Sequence, residues 1–227
     1  MKSNSQPPPD HIHDKIIYLL GLVILVQFSY PFTVGNNIVA LIIYQLLYFS
    51  LVGIGIILAQ DTPRQRNLLV FLGASFMIAA LIYDFYQDAT WALLITYLTI
   101  ASFQMLVVQI LLRFIFQTKV VNTPVIYAAS AVYLLLGAIF VPIYGIIETV
   151  YPGSFIDSSM ASEVFPWQNF VYYSYATLTT LGYGDILPVT MLARSAASLQ
   201  AVIGVLYITV IMARLVGLYA TTSPSEK

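Results

Sequence analysis

The residues of this chain best suited to chemistry offer main-chain atoms rather than side chains. They run Thr177-Leu178-Thr179-Thr180-Leu181-Gly182-Tyr183-Gly184-Asp185. Glycine adopts backbone angles that are costly for residues with a Cβ. Glycines alternating with other residues therefore let successive carbonyls, from Thr180 to Gly184, turn toward one axis. Such a row of oxygens replaces the water shell of a monovalent cation when several copies surround the axis. Gly-Tyr-Gly-Asp alone reads equally well as an ordinary turn, since Gly and Asp favour turns. The longer string, placed between two long apolar segments, is what separates the two readings. Side-chain chemistry is thin by comparison: the chain has two histidines and no cysteine. No metal-spaced cluster or activated nucleophile stands out, so the chain does not read as an enzyme. Asp10-His11-Ile12-His13-Asp14 could bind a metal or sense pH, but it follows Pro7-Pro8-Pro9 and reads as part of a polar tail.

The stretch Thr179 to Asp185 resembles the potassium-channel signature, with Leu181 where valine is usual. The resemblance covers about residues 124-219, the potassium channel pore domain of the two-helix ion channel family. It implies that the Thr180 hydroxyl and carbonyl form the innermost ion site. The carbonyls of Leu181, Gly182 and Tyr183 would form the sites above, with Gly184 at the outer mouth. No cofactor is implied, K⁺ being the permeant ion. Thr179 and Asp185 would support the filter, and the Tyr183 ring would sit in a cuff of aromatics such as Trp167, Tyr172 and Tyr173. Several family members pair the aspartate after the filter with a carboxylate on the pore helix. Ala176 occupies that position here, and the Tyr172 hydroxyl is the substitute partner we expect for Asp185. Leu187 stands where an aromatic helps bind external quaternary ammonium, so weak external tetraethylammonium block is expected. Gly204 falls where the family's inner helix hinges; a small residue for close helix packing is the competing reading. Ala201, Val205 and Ile208 would line the cavity. One loop cannot enclose an ion, so four copies, a homotetramer, are expected.

The elements that position this loop follow from composition. The chain has 227 residues, 59% hydrophobic and 8% charged, against about 25% charged in soluble domains. That balance predicts an integral membrane protein, and a net charge of −1 implies no nucleic-acid surface. Six apolar stretches approach the roughly 20 residues needed to span a bilayer: 15–32, 38–59, 68–86, 91–116, 124–147 and 188–219. Thr123 is the expected cap of the fifth, and Pro142 is expected to bend it. The loop 149–162 reads as a turret. A short helix from Pro166 to Thr179, about 21 Å long at 1.5 Å per residue, is too short to span and would dip in and return. Its carboxyl end carries about half a negative charge and would favour a cation. The predicted fold is therefore an all-α integral membrane protein, with six transmembrane helices and a re-entrant pore helix and filter loop between the fifth and sixth. The expected domains are a disordered cytoplasmic tail (1-14), a four-helix region (15-117), a pore domain (122-220) and a short cytoplasmic tail (221-227).

Eight of the nine basic residues, Lys2, Lys15, Arg64, Arg66, Arg113, Lys119, Arg214 and Lys227, fall on one side of this topology, leaving Arg194. The opposite loops carry Asp84, Asp88, Glu148, Asp157, Glu163 and Asp185. Charge thus predicts a multi-pass protein of the plasma (inner) membrane with both termini cytoplasmic. No cleavage site follows the first apolar run, which reads as a retained helix. The fourth helix has one basic residue, Arg113, at its end. A voltage sensor needs several, because one charge moved through 100 mV supplies only about 2.3 kcal/mol. Little intrinsic voltage dependence is expected. Few residues follow Tyr219, so no cytoplasmic ligand-binding domain is expected there. The leading expectation is passive, potassium-selective conduction. A non-conducting regulatory subunit and a potassium transporter subunit are the alternatives; a single intact loop favours the channel over both.

Overall fold

The computed structural model describes residues 10–34, 38–59, 63–86, 89–158 and 165–222. Among the described residues seven α-helices follow in order: α1 Asp10–Ser29, α2 Ile38–Leu58, α3 Pro63–Phe85, α4 Thr90–Gln117, α5 Thr123–Val150, α6 Trp167–Leu178 and α7 Met191–Thr222. A 3-10 turn, Tyr30–Thr33, extends α1. Six of the seven helices are long and apolar enough to cross a membrane; α6, at 12 residues, is not. Spanning segments favour helix because every backbone polar group is then satisfied within the segment.

Several boundaries differ from the sequence expectation. The backbone is helical from Asp10, so residues 10–14 of the expected tail belong to α1. An acidic residue at a helix amino end is favoured by the helix dipole. Residues 1–9, and the side chains of the His11–His13 stretch, lie outside the described residues. α3 opens at Pro63, well before Leu68, since proline suits the first helical turn and polar side chains such as Arg64 can reach outward. The cap of α5 is Asn122, not Thr123: its side chain accepts from the Val125 N–H at 3.3 Å. Helix α5 continues through Pro142 to Val150. Pro188 does not start the last helix. It lies in β2 (Ile186–Pro188), which pairs antiparallel with β1 (Phe155–Asp157) so that Phe155 faces Pro188. α7 then starts at Met191, with Thr190 Oγ1 accepting from the Ala193 N–H at 3.4 Å. The turret is thus partly strand. Its residues 159–162, together with Asp88, Glu163 and the tail residues 223–227, lie outside the described residues.

Helix α5 is the hub: it packs against α1, α4, α6 and α7, while α3 joins through α4 and α2 through α1. In a bilayer the lipid tails are as apolar as leucine, so close van der Waals packing rather than water exclusion drives this assembly. Small residues provide it. A Cβ added at Gly145 would meet the Tyr97 ring at 2.6 Å, and one at Gly73 would meet Val52 at 2.6 Å. A larger residue at either would force α4 from α5 or α2 from α3. Two apolar cores result. One joins α1 to α5 through residues such as Val23, Leu51, Phe103, Leu111 and Leu135, and reaches Ile211 of α7. The other, built from Phe140, Tyr144, Phe155, Phe170, Tyr173 and Ile186, backs α6 and the small sheet.

Candidate functional site

Helix α6 is seated between α5 and α7 by buried polar bonds. Ser174 Oγ donates to the Gly137 carbonyl at 2.6 Å. Gln200 Nε2 on α7 donates to Ser174 Oγ at 2.7 Å and to its carbonyl at 3.1 Å. The Tyr144 hydroxyl donates to Gln200 Oε1. Ser174, Tyr144 and Gln200 are all fully buried. Tyr175 donates to the Leu134 carbonyl at 2.8 Å. A buried polar group is costly unless paired, and these groups pair with one another. The network therefore fixes the height and rotation of α6. Ser174, Gln200 and Tyr175 were not singled out from sequence, and Tyr144, read there as part of an interfacial aromatic belt, is instead fully buried. The available signal was a glutamine and a serine inside otherwise apolar runs, which in a membrane segment seldom lack a role.

The carboxyl end of α6 meets α7 at Gly204. A Cβ there would overlap the Leu178 carbonyl oxygen and approach Leu178 Cδ1 to 3.0 Å. Gly204 therefore provides close packing, the competing reading to a hinge. It also fixes the depth: the last turn of α6 lies level with the middle of α7. The chain then returns to β2, which precedes α7.

Between these points lie Thr179 to Asp185. The Leu181 and Gly182 N–H groups both donate to the Ala176 carbonyl, at 2.9 and 3.2 Å, and the Thr180 N–H donates to the Thr177 carbonyl at 3.1 Å. Thr179 Oγ1 donates to the Tyr175 carbonyl at 2.7 Å. The amide hydrogens at the start of the segment are thus directed back into α6. Its backbone alternates in handedness: Thr180, Gly182 and Gly184 have φ of 58°, 51° and 80°, while Leu181 and Tyr183 are not in the positive-φ region. Alternating handedness directs successive carbonyls to one side of a chain, where uniform handedness would coil it. Two glycines take this at little cost; Thr180 carries left-handed strain of about 1–2 kcal/mol. Sequence reasoning assigned that conformation to the glycines and missed Thr180. Among the described residues, no N–H or hydroxyl donates to a carbonyl from Thr180 to Gly184. Thr179 to Gly184 are all exposed in the protomer, Tyr183 at 71%.

The far end of the segment is anchored. The Tyr172 hydroxyl donates to Asp185 Oδ2 at 2.7 Å, the pairing anticipated from Ala176. Asp185 Oδ1 accepts from the Ile186 N–H at 3.0 Å. The Asp185 carbonyl accepts from the Ser158 N–H at 2.8 Å and from its hydroxyl at 3.0 Å. The hydrogen bond from Tyr172 holds the Asp185 carboxyl below its ordinary range. The same bond, with the carboxylate's charge, pushes the Tyr172 phenol up to about 12.

The expected aromatic cuff is not formed within one protomer. Trp167 packs on Tyr44 of α2, with ring centroids 5.4 Å apart, and Tyr173 packs on Tyr144 and Phe155 at 5.0 and 5.3 Å. Among the described residues no ring stacks on Tyr183. The first two aromatics fasten α6 to the rest of the protomer, and Tyr172 reaches the loop by its hydroxyl alone. Of the proposed cavity liners, Val205 and Ile208 are exposed and Ala201 is half-buried.

In comparisons with known proteins, residues 125–220 match the family described as ion channel. That segment runs from the start of α5 nearly to the end of α7 and includes the whole site. No curated protein and no solved structure matches the chain.

Proposed function

We propose that this chain, whose segment 125–220 matches an ion channel family, assembles as a homotetramer around a potassium-selective pore. The observation that carries this reading is the row of carbonyls from Thr180 to Gly184. They alternate in backbone handedness, their amide neighbours are committed to α6, and they lack donors among the described residues. A polar backbone row at membrane depth is tolerated only where it lines a cavity or is buried in protein. Four rows around an axis meet that condition, and the ion supplies what the missing donors would.

In this reading α6 enters from the α5 end, reaches the middle of the bilayer at Gly204, and the chain returns by the filter. The Thr180 oxygens hold K⁺ innermost and the carbonyls of Leu181, Gly182 and Tyr183 hold it above. Gly184 lies at the mouth and Asp185 on Tyr172 braces it. The carboxyl ends of four α6 helices add negative potential below the filter. The exposed apolar residues of α7, among them Leu199, Val202, Leu206 and Val210, face neighbouring copies, cavity or lipid. Conduction is passive and depends little on voltage, because α4 carries Arg113 alone. The basic side of the helices faces the cytoplasm, with both termini inside the plasma membrane. The experiment is rubidium uptake into liposomes holding the purified protein. Uptake that sodium does not match, and that Gly182→Asp abolishes, is expected. Equal sodium and rubidium flux, or no flux from folded tetramers, would overturn the reading.

A further inference from the structure

We propose that a cleft between the basic ends of α1 to α4 binds the phosphate headgroup of an anionic phospholipid. The cleft has a volume of about 320 Å³. Lys15 of α1 and Arg113 of α4 contribute positive charge, and Gln65 of α3 and Gln117 of α4 contribute amide donors. Ile16 and Leu111, both buried, are among the apolar residues that line it. Among the described residues no carboxylate lines the cleft; Asp14, next to Lys15, is exposed, and Asp61, two positions after Ala59, lies outside the described residues. Lys15 has a further interaction in the protein, so a headgroup would share it.

The combination selects the ligand class. Two cations and two amides suit a phosphate, and basic pockets between transmembrane helices are suited to acidic headgroups. An apolar lining is of no use to a free anion but accommodates the start of an acyl chain. The cleft also adjoins Ile115 and Phe116, whose carbonyls are held by Arg214 of α7. An occupied cleft would therefore press on the point where α4 is fastened to α7. The proposal needs only that α1 to α4 span the bilayer, so its failure would leave the pore reading untouched.

The test is native mass spectrometry of the full chain in micelles containing phosphatidylglycerol or phosphatidylcholine. The protein should retain phosphatidylglycerol in preference. Taking about fivefold in affinity for each cation that meets the headgroup in the cleft, K15Q/R113Q should weaken retention about thirtyfold and K15R/R113K little. R64Q/R66Q removes two exposed charges on the same side that do not line the cleft, and should leave retention close to wild type. Gln117→Glu changes one exposed side chain at the rim and should weaken it about fivefold, even if K15Q/R113Q fails to fold. Equal retention of both lipids, or equal loss in R64Q/R66Q, would overturn the proposal. Displacement of phosphatidylglycerol by inorganic phosphate would reduce the cleft to a simple anion site and overturn the lipid assignment.

Discussion

Tyr172 and Asp185 show how a single hydrogen bond from a phenol braces a carboxylate. With Ala176 on α6, the brace runs from a phenol to the aspartate, and the aspartate is held in its charged form. The sign follows from the lowered folded-state value. The stabilisation is complete above the ordinary aspartate range, about 3.9, and is lost as pH falls through the depressed value. Tyr172→Phe removes the main cause, so Asp185 should titrate at higher pH, read by carboxyl NMR; an unchanged titration would contradict the brace. Gly204 supports a second prediction at this scale. Gly204→Ala drives a methyl into the Leu178 carbonyl and should cost about 1–3 kcal/mol, lowering the thermal stability of the assembled protein. Gly217→Ala meets nothing within 4 Å and should be neutral or stabilising, by up to about 1 kcal/mol. Equal stability of the two variants would restore the hinge reading.

At the scale of elements, α6 and α7 are each held by a few polar bonds. Gln200 ties α7 to α6, and through Tyr144 to α5. Gln200→Leu strands the buried Tyr144 hydroxyl, while Ser174 Oγ keeps its bond to the Gly137 carbonyl, and should cost about 1–3 kcal/mol, measured as a fall in melting temperature with retained helicity. Near its other end, Arg214 of α7 donates from one nitrogen to the Ile115, Phe116 and Thr118 carbonyls at 2.9, 2.8 and 3.0 Å. Its guanidinium also lies 4.9 Å from the centre of the Phe116 ring. It caps the carboxyl end of α4, where a cation is favoured by the helix dipole. Arg214→Gln should raise amide hydrogen exchange at the end of α4 and in the linker 118–122, leaving α6 protected. Unchanged exchange would show that apolar packing alone holds α7 there.

For the molecule as a whole, hydropathy located all six long helices because each had to be apolar along its length. It located their ends less well. Asn122, Pro63 and Thr190 are set by capping, which depends on one or two side chains rather than on a window. Pro188 was drawn into α7 because an apolar run does not reveal a three-residue strand pairing with Phe155–Asp157. The loop from Thr180 to Gly184 was legible because its backbone demands leave glycines in the sequence. The Gln200 network and the Arg214 cap were not, since they join residues far apart in the chain. The aromatic cuff failed within the protomer because Trp167 and Tyr173 pack on neighbours from α2, α5 and β1. With Arg113 the single basic residue in α4, the conductance of the reconstituted protein should vary little between negative and positive potentials in planar bilayers. A steep curve would mean that charge elsewhere crosses the field.

The central claim is that K⁺ is held by main-chain oxygens of residues 180–184 from four copies. Crystals of the tetramer soaked in thallium, a potassium surrogate with strong anomalous scattering, test it most directly. The account predicts a line of anomalous peaks on the fourfold axis, each surrounded by Thr180, Leu181, Gly182 and Tyr183 oxygens from all four chains. Peaks bound by side chains elsewhere, or an axis free of thallium between ordered filter loops, would contradict it.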